Sequence, residues 1–97
     1  CRLMARFAGL VQREKVEALV VAFPRYEDWA WTKNGTVQRK RVAAVLDCAR
    51  NAGLRTLNTY DPFAKAGVAQ DLEAFFVDWH FNGRANALAA RMIAPAL

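Results

Sequence analysis

The spacing of hydrophobic residues along the chain predicts three helices. Residues 2–14 carry apolar side chains three and four positions apart, which places them on one face of a helix. The same spacing recurs over residues 36–52 and over residues 83–94. Thr36 and Asn82 suit the N-cap positions of the second and third helices, because their side-chain oxygens can accept a hydrogen bond from a free backbone N–H group.

Two short segments predict parallel strands. Residues 17–23 are rich in valine and alanine, and Pro24 ends this run. Residues 54–58 follow Gly53, which suits the left-handed C-cap of the second helix. A strand, a helix and a strand in this order form a βαβ unit with a right-handed crossover. The predicted fold class is therefore α/β, in a single domain over residues 1–97.

The connections between these elements place aromatic residues near a ligand site. Residues 24–35 are predicted to form a loop beyond the carboxyl end of the first strand, where open α/β sheets bind their ligands. Residues 60–63 are predicted to form a turn. The aromatic side chains of the long loop either line a substrate pocket or pack over the edge of the core. The candidate substrate contacts, including one beside the only histidine, are Tyr26, Trp29, Trp31 and Trp79.

The composition is that of a folded chain, with 55% hydrophobic and 24% charged residues, and no run is apolar enough to span a bilayer. The net charge of +5 leaves two interpretations open. The basic residues at 38–41, with Arg50 and Arg55, form either the phosphate contacts of a nucleic-acid-binding α/β domain or a solvated helix face. A helix-turn-helix needs a second helix where a strand is predicted, so we favour the solvated face and expect no nucleic-acid partner.

One pair of residues suggests acid–base chemistry. His80 is the only histidine of the chain, and Asp78 lies two residues before it. In an extended segment these two side chains point to the same side. A carboxylate in that position orients the imidazole and stabilises the imidazolium formed on proton transfer, as in a Ser-His-Asp triad. The alternative is a noncatalytic domain in which the pair only ties the last helix to the sheet.

The segment around this pair resembles the last sequence block of the SGNH (GDSL-type) hydrolases. It runs Asp78-Trp-His-Phe-Asn-Gly-Arg-Ala-Asn-Ala-Leu-Ala-Ala-Arg-Met-Ile, with an aspartate and a histidine before a turn, a glycine and an alanine-rich helix. The order of elements from about residue 17 is similar to that of the family. The resemblance implies the C-terminal half of a flavodoxin-like, three-layer α/β/α domain. It also implies an acyl or acetyl esterase, or a lipase-like enzyme, with His80 as general base and then acid, Asp78 as its orienter, and no cofactor or metal.

The chain departs from that family in containing neither a serine nor a Gly-Asp-Ser motif. We expect the nucleophile and the oxyanion-hole donors in an N-terminal half of the domain, upstream of Cys1, and expect this part alone to be inactive, because the members of a triad act as a unit. The expected substrate is a small-molecule, carbohydrate or lipid ester. Cys48 is predicted to be a small core residue of its helix, and the two cysteines do not fix the compartment.

Overall fold

A computed structural model describes residues 1–97 and has a mixed α/β fold that is mainly helical. The elements build two small sheets, one parallel and one antiparallel. Three short 3₁₀ helices lie at Val68–Gln70, Leu72–Ala74 and Ala94–Ala96. The main elements are α1 (Arg2–Glu14), β1 (Leu19–Ala22), α2 (Tyr26–Ala30), α3 (Thr32–Asn51), β2 (Arg55–Asn58), α4 (Tyr60–Lys65), β3 (Phe76–Val77), β4 (His80–Phe81) and α5 (Gly83–Ile93).

The parallel sheet consists of β1 and β2, which confirms the predicted strand–helix–strand order. Leu19 pairs with Arg55 at one end and Ala22 with Asn58 at the other. Thr59 extends the pairing, because its backbone N–H and its hydroxyl both donate to the carbonyl oxygen of Ala22, at 3.1 and 2.7 Å. Because the sheet has only two strands, each strand keeps one free edge. The predicted three-layer α/β/α arrangement is not seen in these 97 residues.

Helices α1 and α3 pack together beside the parallel sheet. Their small apolar core contains Ala8, Ala49 and Leu54, with Met4 and Val11 packed against it. A disulfide joins Cys1 to Cys48 and so ties the start of α1 to α3. Cys48 was predicted to be a small core residue of its helix; it lies in α3 but is only half-buried, and it forms a disulfide with a cysteine 47 residues away.

A second, larger core lies between α4, the β3–β4 hairpin and α5. It contains six buried side chains: Phe63, Val68, Phe75, Phe76, Ala85 and Ala89. Asn82 connects its parts, because its side-chain oxygen accepts from the N–H of Ala85 at 3.0 Å and its amide donates to the carbonyl of Ala74 at 2.9 Å. The predicted N-cap of the last helix is thus confirmed.

The segment predicted as a loop over residues 24–35 is mostly helical instead. Asp28, in the first turn of α2, accepts the backbone N–H of Arg25 at 2.8 Å, which favours a helix start at that point. Helix α3 then begins at Thr32, four residues earlier than predicted. Thr36 is therefore not an N-cap, and its hydroxyl donates to the carbonyl of Thr32 at 3.0 Å.

The predicted turn at residues 60–63 is the first part of α4. The side chain of Asn58 accepts the N–H of Tyr60 at 3.1 Å and so satisfies one free donor at the helix start. Asp61 and Pro62 occupy the first turn, where a negative charge and a fixed φ both favour the helix.

Helices α2 and α3 approach so closely that only glycine fits at position 35. A Cβ atom at Gly35 would overlap the backbone carbonyl oxygen of Asp28. The glycine is buried, so neither helix can shift towards solvent without losing packing. This contact fixes the junction at Trp31 between the two helices.

We expect removal of the disulfide to lower the free energy of unfolding by about 3–4 kcal/mol, because the bond closes a loop with a sequence separation of 47 in the unfolded chain. Guanidinium unfolding of the wild type and of the double variant Cys1→Ser, Cys48→Ser measures this. A reductant should lower the wild-type midpoint and leave the variant unchanged. Equal midpoints for oxidised and reduced wild type would contradict the prediction.

We expect Gly35→Ala to destabilise the fold by about 2 kcal/mol or more, because the new methyl group meets backbone rather than a movable side chain. Gly9→Ala is the matched control. A Cβ at Gly9, inside α1, meets nothing within 4 Å, so alanine should raise stability by about 0.5–1 kcal/mol. Thermal unfolding of both variants gives the comparison, and equal shifts in the same direction would refute the packing argument.

Candidate functional site

An open pocket of about 650 Å³ lies between the end of β1, the β3–β4 hairpin and α5. Its volume is in the range of small-molecule sites. Phe23 and Pro24 lead into it directly from the carboxyl end of β1, the place where α/β sheets bind ligands. Asp78, Trp79 and His80 form the opposite wall.

The floor of this pocket is apolar and continuous with the larger core. The ring of Phe81 stacks on Phe63 with centroids 5.1 Å apart and meets the edge of Phe23 at 5.8 Å. Phe76 lies beside Phe81 at 5.5 Å. The strand pair that carries His80 is therefore anchored by buried rings, although it is only two residues long on each side.

Asp78 and Trp79 form the tip of the hairpin. Val77 pairs with His80, so these two residues are the whole loop, and their φ angles are 48° and 65°. Positive φ at both central residues is the pattern of a type I′ turn, which favours Asn-Gly and strains larger residues by about 1–2 kcal/mol each. The expected extended geometry around Asp78 is therefore wrong: the chain reverses there.

The structure brings Asp78 and His80 to the same pocket without joining them. Both side chains are exposed, and both line the cavity. Neither forms a side-chain hydrogen bond, and no ion pair links them. The imidazole thus has open space beside it.

A buried carboxylate, which the sequence did not single out, holds the wall of the pocket in place. Asp28 is 6% exposed and accepts from the Tyr60 hydroxyl at 2.8 Å and from the Arg25 guanidinium at 3.1 Å. The hydrogen bond to this carboxylate raises the pKa of Arg25. The Arg25 guanidinium also lies 3.6 Å from the carboxylate of Glu27, and both residues line the pocket. The rim is therefore polar and charged.

The pKa of Tyr60 is raised, first because burial penalises the phenolate and second because the hydroxyl donates to Asp28. Tyr60 is 2% exposed, and its ring lies 6.1 Å from that of Trp29. The network links α2 to α4 across 32 residues of sequence. No local sequence pattern predicts such a contact, because its two partners lie far apart in the chain.

Three of the four predicted substrate-contact residues meet beside the pocket. Trp79 stacks on Tyr26 at 5.4 Å with an angle of 8° between the planes, and the edge of Trp31 meets Trp79 at 5.7 Å and 76°. Trp79 lines the pocket and is 57% exposed, and Trp31 is 47% exposed. We call Tyr26, Trp31 and Trp79 the aromatic platform.

Trp29 lies elsewhere. The guanidinium of Arg39 sits 5.4 Å from its ring centroid, and its buried Nε1 has no hydrogen-bond partner. Trp29 does not line the large pocket, so its contacts serve packing between α2, α3 and α4. Of the four predicted substrate-contact residues, only Trp79 lines the pocket, and Trp31 and Tyr26 reach it through their ring contacts with Trp79.

Two arginines of the predicted basic surface are engaged within the molecule. Arg39 bonds to Asp61 at 3.2 Å in addition to its position over Trp29. Arg50 bonds to Asp47 and, at 3.0 Å, to the Thr56 hydroxyl. These aspartates offset part of the positive charge with which the surface would bind the phosphate backbone of a nucleic acid.

Comparison of the chain with known protein families, curated proteins and solved structures finds no match. The molecule has no group of three or more His, Cys, Asp or Glu side chains that could hold a metal ion. None of its helices has the length and apolar character that crossing a bilayer requires.

We expect Tyr60→Phe to lower the free energy of unfolding by about 1–3 kcal/mol near neutral pH, because the buried Asp28 carboxylate loses a donor. A raised pKa in the folded state stabilises the fold below the ordinary tyrosine value of about 10, and this contribution disappears as the pH rises through the folded value. Stability measured by denaturant titration should therefore fall more steeply above that pH in the wild type than in Tyr60→Phe.

Tyr26→Phe is the control for this prediction, because the Tyr26 hydroxyl makes no hydrogen bond while its ring packs in the platform. This variant should keep both the stability and the alkaline loss of the wild type. If Tyr60→Phe unfolds at the wild-type midpoint at every pH, the network does not contribute as argued.

Proposed function

We propose that this chain carries the Asp–His part of the active site of an ester hydrolase of the SGNH (GDSL-type) kind. The observation that carries the proposal is that His80 and Asp78 both line an open pocket at the carboxyl end of a parallel strand. The resemblance of the segment that begins at Asp78 to the last block of this family supports the same assignment. The substrate class is a small-molecule, carbohydrate or lipid ester.

In this proposal His80 is the proton carrier. Its imidazole takes the proton of a serine hydroxyl as the oxygen attacks the acyl carbon, and it then gives that proton to the leaving alcohol. The Asp78 carboxylate turns onto the other ring nitrogen and stabilises the imidazolium between the two steps. An open Asp–His contact is compatible with this role, since catalytic hydrogen bonds often close only when substrate is bound.

The proposal places the serine and the oxyanion-hole donors outside these 97 residues, which contain no serine. It also makes β1 and β2 part of a larger parallel sheet in a flavodoxin-like, three-layer α/β/α fold. Two features support this: every residue of β1 is only half-buried, and each strand of the parallel pair has a free edge. Parallel sheets are ordinarily covered on both faces.

The test uses the polypeptide that contains this chain together with the residues encoded before it. We expect His80→Ala to lower kcat for p-nitrophenyl acetate by at least about a thousandfold while the circular dichroism spectrum stays unchanged. A fluorophosphonate probe should label one serine, and peptide mapping should place that serine upstream of Cys1. The 97 residues alone should show neither hydrolysis nor labelling.

Asp71→Asn is the matched control for the aspartate of the pair. Asp71 is exposed, forms no ion pair and lies outside the pocket, so its replacement should leave kcat unchanged, while Asp78→Asn should lower it by about a hundredfold or more. Hydrolysis that survives His80→Ala, or that falls equally in both aspartate variants, would contradict the proposed site.

A further inference from the structure

We infer that the aromatic platform binds an uncharged sugar ring, so that the substrate of the proposed hydrolase is an O-acylated carbohydrate. The identification of that sugar as the substrate rests on the proposed function. The binding of the sugar rests on three features of the structure that do not depend on the proposed function. They are the exposure of two tryptophan side chains, the strained backbone at Trp79, and the balance of charge around the pocket.

The first feature is the exposure of two indole rings beside the pocket. Trp79 and Trp31 are 57% and 47% exposed, yet both are held by ring contacts, Trp79 by stacking on Tyr26. A rigid aromatic face, electron-rich at its centre, attracts the C–H bonds that point from one side of a pyranose ring. Trp79 thus offers a sugar an apolar ring that its stacking on Tyr26 holds in place, and the ring of Trp31 stands at 76° to it.

The second feature is the backbone under Trp79. Its φ of 65° belongs to the left-handed region, which bulky residues rarely adopt, and the hairpin tip it occupies favours glycine. A tryptophan at this position does not improve the turn, and more than half of its surface remains in solvent. Strain retained at an exposed side chain that lines a pocket points to a ligand contact.

The third feature is the charge of the pocket wall. Arg25 is the only arginine or lysine lining the pocket, and it is already paired with Glu27 and Asp28. The carboxylate of Asp78 has no cationic partner. A phosphate-bearing ligand would meet this excess of negative charge, whereas an uncharged ligand would not.

A sugar also fits the polar rim better than an alkyl chain does. Arg25, Glu27 and Asn86 line the pocket, and each presents a donor or an acceptor that suits a sugar hydroxyl. An alkyl chain in the same place would desolvate these groups without offering them a partner. The observations therefore favour an amphipathic ring with hydroxyl groups on its edge.

The experiment measures binding without turnover. The 97-residue chain is titrated with neutral hexasaccharides of xylose, glucose, mannose and N-acetylglucosamine, which carry no ester to hydrolyse, with detection by calorimetry and by NMR shifts of the indole N–H groups. We expect at least one hexasaccharide to bind and Trp79→Gly to weaken that binding at least about tenfold. Glycine is the residue this turn prefers, so the variant should stay folded, as judged by its unfolding midpoint.

Phe7→Ala is the control, because Phe7 is 40% exposed but lies on α1 and outside the pocket. The Phe7→Ala variant should bind the sugar as tightly as the wild-type chain does. The inference is overturned if no hexasaccharide binds, or if the Trp79→Gly variant binds as tightly as the wild-type chain. It is also overturned if phosphatidylcholine vesicles, and not sugars, bind in a manner that depends on Trp79.

The two proposals fail separately. Trp79-dependent sugar binding without any His80-dependent hydrolysis by the longer polypeptide would refute the hydrolase and leave a carbohydrate-binding surface. Hydrolysis of p-nitrophenyl acetate that needs His80, without sugar binding, would refute the ligand class and leave the hydrolase. If both hold, acetylated xylan or another acetylated glycan should be hydrolysed less efficiently by Trp79→Gly than by the wild type.

Discussion

The buried carboxylate of Asp28 is the interaction on which the pocket depends. It receives hydrogen bonds from the backbone and guanidinium of Arg25 and from the hydroxyl of Tyr60, and so it joins α2 to α4. An ionised group away from water needs such partners, since an unpaired buried charge costs several kcal/mol. The same bonds that satisfy the charge direct Arg25 to the pocket rim and set the position of the platform.

The rest of the fold contains two separate small cores. The core of α1, α3 and β2 is thin, and the disulfide between Cys1 and Cys48 reinforces it. The core of α4, the hairpin and α5 is richer in aromatic rings and supports the pocket floor. Only 15 of 97 residues are buried, so cross-links and polar contacts carry much of the stability that a large core would otherwise supply.

The sequence predicted features that depend on near neighbours and missed those that depend on distant ones. Helical spacing located α1 and α5, and Asn82 identified the cap of α5. The helix of residues 26–30 was missed because part of its support comes from Tyr60, and the disulfide because its cysteines share no local pattern. The hairpin tip was missed because Trp79 occupies the second position of the turn, where a two-residue turn favours glycine.

The absence of a side chain at Gly35 has a consequence for recognition. It lets α3 begin against the carbonyl of Asp28, which leaves Trp31 in an extended conformation between two closely packed helices. In the sugar site proposed above, a ring on such a fixed backbone would lose less freedom on binding, which would reduce the entropic cost. In that proposal, a glycine that makes no contact with the sugar contributes to its affinity.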